Sequence, residues 1–286
     1  MSAADASQAN HDAPARAGAS RADRRALLAT CVAAAARSAE VVRAGAERRD
    51  SLVWESKSQF DFVSDVDRDS EQALGEVISG RHADATILAE EGSPDAQATR
   101  GLVFVADPLD GTTNFLHGFP WYAVSVAALV DGEIQAGAII NVPTGTLFTA
   151  TLGGGARMGG APMHVSANTE PSRALIATGF PFKGDEDIAR YLRMIPGVMA
   201  GTAGLRRPGA AALDLADVAC GRFEAFFELK LAPWDIAAGI LMVREAGGIV
   251  TTLDGTPARV APTSIIAGNA ALHQWLLDTL AVKRES

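Results

Sequence analysis

The chain is poor in sulfur and short of cations, and it lacks long apolar runs. Of its 286 residues only Cys31 and Cys220 are cysteines. Two thiols cannot build a disulfide scaffold or a four-ligand zinc site. They suit a chain kept in a reducing compartment, so a cytoplasmic protein is expected. Lys and Arg total 25 against 34 Asp and Glu. That balance excludes general nucleic-acid binding, which rests on cationic contacts to phosphate. It leaves room for a small anionic substrate where metal cations intervene. No uncharged apolar run reaches the roughly 18 residues of a membrane span, so no membrane partner is expected. Residues 2–26 contain no Val, Ile, Leu, Met, Phe, Tyr or Trp. Such a segment cannot offset its ordering entropy, and residues 1–25 read as a disordered tail.

Beyond that tail the chain is rich in core-forming residues. Nearly half of it is hydrophobic, 48%, which suffices for one large domain or two lobes. Arg24-Arg25 ahead of Ala26–Ala36 has the outline of a twin-arginine export signal. However, Leu27, Leu28, Cys31, Val32, Ala35, Ala39 and Val42 recur at helical spacing, and a core-facing helix over about 24–49 is expected instead. A second helix is predicted over 65–80, and short apolar strands over 86–89 and 102–106. From Tyr122 to Ala150, strands closed by Asp131-Gly132, Pro143-Thr144-Gly145 and Gly153-Gly154-Gly155 predict antiparallel hairpins. Gly153–Gly160 reads as a further turn. After about residue 165, strands alternate with helices. The reading is an N-terminal α+β lobe, 26–155, and a C-terminal α/β lobe, 156–286.

Three acidic clusters close apolar elements, where ligands of layered α/β folds tend to bind. In Val105-Ala-Asp107-Pro-Leu-Asp110-Gly-Thr-Thr-Asn114-Phe115, a buried strand delivers Asp107 into a tight turn. Pro108 fixes φ and Gly111 permits an unusual one. Two acids so close repel, and a divalent cation with a taste for hard oxygen, such as Mg²⁺, removes the penalty. Residues after Gly111 can open a helix whose free N–H groups attract phosphate. Ile87-Leu-Ala-Glu90-Glu91-Gly92 places a glutamate near enough to share that ion, although alone it would read as a solvated strand end. Pro233-Trp234-Asp235 puts Asp235 in a first helical turn, where plain N-terminal capping is the simpler reading. The cysteines and the five histidines show no nucleophile or zinc spacing.

These strings together resemble the inositol monophosphatase family of Mg²⁺-dependent, often Li⁺-inhibited phosphatases. The resemblance lies in Asp107–Phe115, in Trp234–Gly248, in Glu90-Glu91 and in a Lys57–Asp67 segment, and it spans roughly residues 26–282. It implies a layered αβαβα sandwich of the inositol monophosphatase and fructose-bisphosphatase type, and commonly a homodimer. It further implies that Glu90, Asp107 and the Leu109 carbonyl bind a first Mg²⁺ and that Asp107, Asp110 and Asp235 bind a second. Glu90 would also help to hold a third, weaker ion. Thr112, with Glu90 or Asp67, would orient the attacking water. Asp110, Gly111, Thr112, Gly209, Ala210, Ala211, Glu228 and Asp235 would contact substrate.

The expected activity is hydrolysis of inositol 1-phosphate or a related polyol or sugar phosphate. Glu228 stands where inositol phosphatases place a glutamate on ring hydroxyls. Lys230, two residues on, could instead select a second anionic group. That keeps histidinol phosphate, fructose 1,6-bisphosphate and nucleotide bisphosphates open. A non-enzymatic alternative is a partner-binding regulatory protein on the same fold.

Overall fold

In the computed structural model, the described residues are 20–58, 61–94, 100–181 and 185–281, without the side chains at 22, 56–58, 61–62 and 185–186. Residues 1–19 of the tail expected over 1–25, and the Lys57 side chain, therefore lie outside them; residues 21–25 are not tail but the start of a helix. Helix α1, Arg21–Glu47, starts earlier than the apolar spacing suggests. Its first turn is fixed by a reciprocal cap between Ser20 and Asp23, a signal carried by polar residues. Of its apolar stripe, Leu27, Cys31, Ala35, Ala39 and Val42 are buried, while Leu28 and Val32 are half-buried against them.

The polar stretch after α1 is a hairpin that periodicity did not show, β1, Glu55–Ser58, with β2, Asp61–Val63. Helix α2, Asp65–Arg81, follows. Strands β3, Thr86–Ala89, and β4, Leu102–Asp110, run parallel. Short helix α3, Thr112–His117, comes next. Strands β5, Ala123–Val130, β6, Glu133–Asn141, and β7, Thr146–Thr151, form the expected antiparallel meander. The glycine-rich stretch is not only a turn. It holds β8, Gly155–Met158, which pairs with β7, and with β9, Ala161–Pro162. Backbone pairing there outweighs the turn propensity of its glycines.

The second half contains β10, Leu175–Thr178, α4, Asp185–Gly201, β11, Gly204–Arg206, and α5, Ala211–Ala219. It ends with β12, Ala225–Leu231, α6, Pro233–Glu245, β13, Ile249–Thr252, β14, Thr263–Gly268, and α7, Ala270–Leu280.

The strands form a seven-stranded sheet, ordered β3 to β9 in sequence, and a five-stranded sheet ordered β11-β10-β12-β14-β13. Strand alternation sorts the core. Phe104, Ala106, Val124 and Val126 face α1 and α2, while Val103, Val105, Ala127 and Leu129 face α5 and α6. On the second sheet, Phe226 and Ala267 join that same inner core, and Phe227 and Ile266 face α4 and α7. The result is five layers, α1/α2, sheet, α5/α6, sheet, α4/α7, the αβαβα order expected. The α5/α6 layer is tight. A Cβ on Gly239 would fall 2.5 Å from Leu215 Cδ1, and one on Gly137 would fall 3.2 Å from the Ala238 Cα.

Candidate metal and phosphate site

Strand β4 does not stop at Asp107. It continues to Asp110 with a register shift against β5 between those two residues. The expected tight turn is thus a bulge within a buried strand, which turns both acids to one end of the sheet. Asp107 Oδ1 accepts from the Leu109 N–H at 3.0 Å. The Pro108 carbonyl accepts from Ser70 Oγ at 2.9 Å, and Ser70 Oγ lies 2.5 Å from Ser38 Oγ. These two buried serines from α1 and α2 lock the strand end. Sequence reading missed them, since a lone serine in a helix carries no spacing signal.

Asp110 Oδ2 accepts from the Ala212 N–H at 2.8 Å, so the N-terminal end of α5 anchors it. This brings Ala210 and Ala211 beside Asp110. Gly111 has φ 91°, and its open backbone lies against Gly209, since an added Cβ would sit 3.2 Å from the Gly209 carbonyl oxygen. Asn114 ties the two segments together. Its Nδ2 faces the carbonyls of Trp121 at 2.7 Å and Pro208 at 2.9 Å. Helix α3 does open after Gly111, but it has only one and a half turns.

Thr112 Oγ1 lies 3.0 Å from Asp67 Oδ1 and 3.0 Å from the Leu109 carbonyl. One hydroxyl proton serves one acceptor at a time, and the lone pairs remain for a water. Asp67 is buried, and its Oδ2 accepts from the Ser64 N–H and Oγ at 2.8 and 2.7 Å. Helix α2 therefore holds Asp67 in the orientation that holds Thr112. Glu90 and Glu91 are half-buried at the end of β3, and Glu71 accepts from the N–H groups of Glu91 and Gly92 at 2.7 Å each. Asp235 Oδ2 accepts from the Ala232 N–H at 2.7 Å, so the simpler capping role is present.

The electrostatics link the clusters. Burial first, and then the charges of Glu90, Asp110 and Asp235, push the Asp107 carboxyl well above the usual range. Burial and then Asp235 do the same to Asp110. Four acids from β3, β4 and α6 thus share one field. Among the described residues, no three His, Cys, Asp or Glu side chains form a ready-made ion cage. The fit to a divalent cation is therefore one of donor chemistry: buried hard oxygens whose mutual repulsion a cation would relieve.

Glu228 lies within β12 and not at its end, and it is half-buried against Gly179. A Cβ on Gly179 would fall 1.9 Å from Glu228 Oε1. Burial, with Asp235 next, pushes its pKa up to about 8, while Arg207 nearby pulls the other way. Asp214, buried on α5, went unnoticed in the sequence. It is raised by burial and then by Glu228 and Asp110, and faces the Trp121 indole. Its place inside an apolar helix stretch gave it no motif.

Comparison with known proteins agrees with this geometry. A sequence profile of the inositol monophosphatase family matches residues 23–284. The chain belongs to the inositol monophosphatase family. Nus factor SuhB of Pseudomonas aeruginosa is 39% identical over 251 residues, covering 86% of this chain and 93% of that protein. The chloroplastic phosphatase IMPL1 of Arabidopsis thaliana is 38% identical over 266 residues, covering 91% of this chain and 71% of that protein. The crystal structure of extragenic suppressor protein suhB from Bartonella henselae superposes with a TM-score of 0.84 at 39% identity, covering 90% of this chain and 99% of that one. As a member of the inositol monophosphatase family, the chain has the family's layered fold, and Mg²⁺ is the ion the family generally uses.

Proposed function

We propose that the protein is a Mg²⁺-dependent phosphomonoesterase acting on inositol 1-phosphate or a related polyol or sugar phosphate. The observation that carries the reading is the pair of raised carboxyls, Asp107 and Asp110, in the field of Glu90 and Asp235 and beside the Thr112–Asp67 pair. Asp107 and Asp110 would hold two cations with Glu90, Asp235 and the Leu109 carbonyl, and Glu90 would help with a third, weaker ion. Bound Mg²⁺ would supply positive charge that polarises water and the phosphate oxygens.

Each side chain then has a task. Thr112 accepts or donates to the attacking water while Asp67 fixes its hydroxyl, and Glu90 shares in orienting that water. The N–H groups that follow Gly111 face phosphate. Glu228, with Gly209, Ala210 and Ala211, receives the hydroxyls of the leaving group, and Asp235 contacts it from α6. Hydrolysis proceeds by direct water attack, since no cysteine or histidine stands among these residues. Homodimer formation, a cytoplasmic location and Li⁺ sensitivity belong to the same reading. Among the described residues no helix is long and apolar enough to cross a membrane.

The test is phosphate release from a panel of inositol, sugar, histidinol and nucleotide phosphates, using chelator-stripped protein with and without Mg²⁺. Release only with Mg²⁺, and fastest with a polyol monophosphate, is expected. No release from any substrate would defeat the reading. The likeness to proteins named Nus factor SuhB favours a second reading as a partner-binding protein, one that need not use the acids.

A further inference from the structure

Lys230 has φ 57°, a left-handed conformation that disfavours any residue with a side chain. It sits in the bulge where β12 shifts register against β14 between Glu228 and Leu231, and its N–H donates to Ser264 Oγ at 3.1 Å. Glycine would occupy that position without strain. A strained residue points to a use for its side chain. The Lys230 ammonium pairs with Asp187 in the first turn of α4. The Asp187 side chain is 15% exposed and that of Lys230 58%, so the pair is anchored at its Asp187 end.

What the pair joins is informative. Asp187 and Tyr191 are four apart on α4 and share a face. The Tyr191 hydroxyl lies 3.1 Å from Thr178 Oγ1, and its ring stacks on Phe227 at 6.1 Å. Thr178 precedes Gly179, which lies against the Glu228 carboxyl. Phe227 and Glu228 point to opposite faces of β12, but Tyr191 lies near enough to feel the Glu228 charge. The face of α4 that Lys230 grips thus borders Glu228 through Tyr191 and Thr178.

We infer that Lys230 and Asp187 are a positioning pair, a clasp that holds α4 against β12 and so sets the affinity for the leaving group of the substrate. This rests on the phosphatase reading for its kinetic consequence, but the clasp itself is measurable without turnover. Breaking it lets Tyr191 and Gly179 withdraw from Glu228. The attacking side, built on β4 and α2, is untouched.

The experiment compares wild type with Lys230→Met, Asp187→Asn, Lys230→Gly and the charge swap Lys230→Asp with Asp187→Lys. Hydrogen exchange of α4 amides is measured on the substrate-free protein, and KM and kcat on the preferred substrate. Faster exchange along α4 is expected in the three single variants, with a rise in KM of about two- to fivefold and kcat unchanged, the scale of a partly exposed ion pair. The swap should restore both. Lys230→Gly relieves backbone strain, so its melting temperature should hold while KM still rises. A residue of merely structural value would lose both together. Unchanged exchange overturns the clasp whether or not the protein is a phosphatase. Loosened exchange with unchanged KM overturns its role in affinity, and absent turnover in wild type defeats only the phosphatase reading.

Discussion

Asp107 is the residue on which the site turns. It is buried, and Glu90, Asp110 and Asp235 raise its pKa further, so its charge costs stability in the metal-free chain. Asp107→Asn removes that charge but keeps the shape and the contact to the Leu109 N–H. The variant should melt a few degrees higher than wild type in chelator. It should also lose turnover by at least about 100-fold, the upper end seen when a group merely supporting a metal ligand is removed. Scanning calorimetry and phosphate release check the two halves, and a variant both less stable and fully active would contradict the shared field. Gly179 offers a second test. Its missing Cβ leaves room for the Glu228 carboxyl, since a methyl there would overlap the oxygens. Gly179→Ala should raise KM for a polyol phosphate by about tenfold, the loss of one hydrogen-bonded contact to a charged group. Gly75→Ala, where the nearest atom is Ile87 Cδ1 at 3.9 Å, should leave KM alone.

Among the elements, α5 and α6 connect packing to chemistry. Helix α5 gives Asp110 its N–H partner, and α6 carries Asp235. They touch closely at Gly239, which faces Leu215. Gly239→Ala should overpack this layer and cost about 1–3 kcal/mol in urea unfolding. Because the two helices separate together with their acids, turnover should fall as well. Normal activity in a clearly destabilised variant would show that the site tolerates that shift. These helices also show what the sequence reveals and what it hides. That helices lie here was legible from the alternation after about residue 165 and from the Pro233-Trp234-Asp235 start, as were β3, the meander and the acids themselves. The bulge joining Asp107 to Asp110 was not, because a register shift depends on the neighbouring strand. Strand β8 was hidden by its glycines, and the β1–β2 hairpin by its polar residues. Ser38, Ser70, Glu71 and Asp214 act through neighbours far away in the chain, and no local pattern announces such contacts.

At the scale of the whole molecule, the enclosed acids tie stability to pH in an unusual direction. Asp107 and Asp110 are raised well above the ordinary range, and Glu228 titrates near 8. A carboxyl raised by folding keeps a proton that the unfolded chain has already lost. Unfolding then releases protons, and rising pH favours it from the ordinary carboxylate range, about 4, up through the folded values. The chelated protein should therefore melt higher at about pH 5.5 than at about pH 8, opposite in sign to a protein held by salt-bridged carboxylates. Glu228→Gln should flatten part of that slope. Mg²⁺ prefers the ionised acids and competes with the protons, so it should raise the melting temperature strongly at pH 8 and weakly at pH 5.5. At 100 times its dissociation constant a ligand of the folded state adds about 2.7 kcal/mol. Calorimetry over the two pH values, with and without Mg²⁺, resolves a change of that size. An equal Mg²⁺ effect at both would mean that the ion binds somewhere other than among these acids.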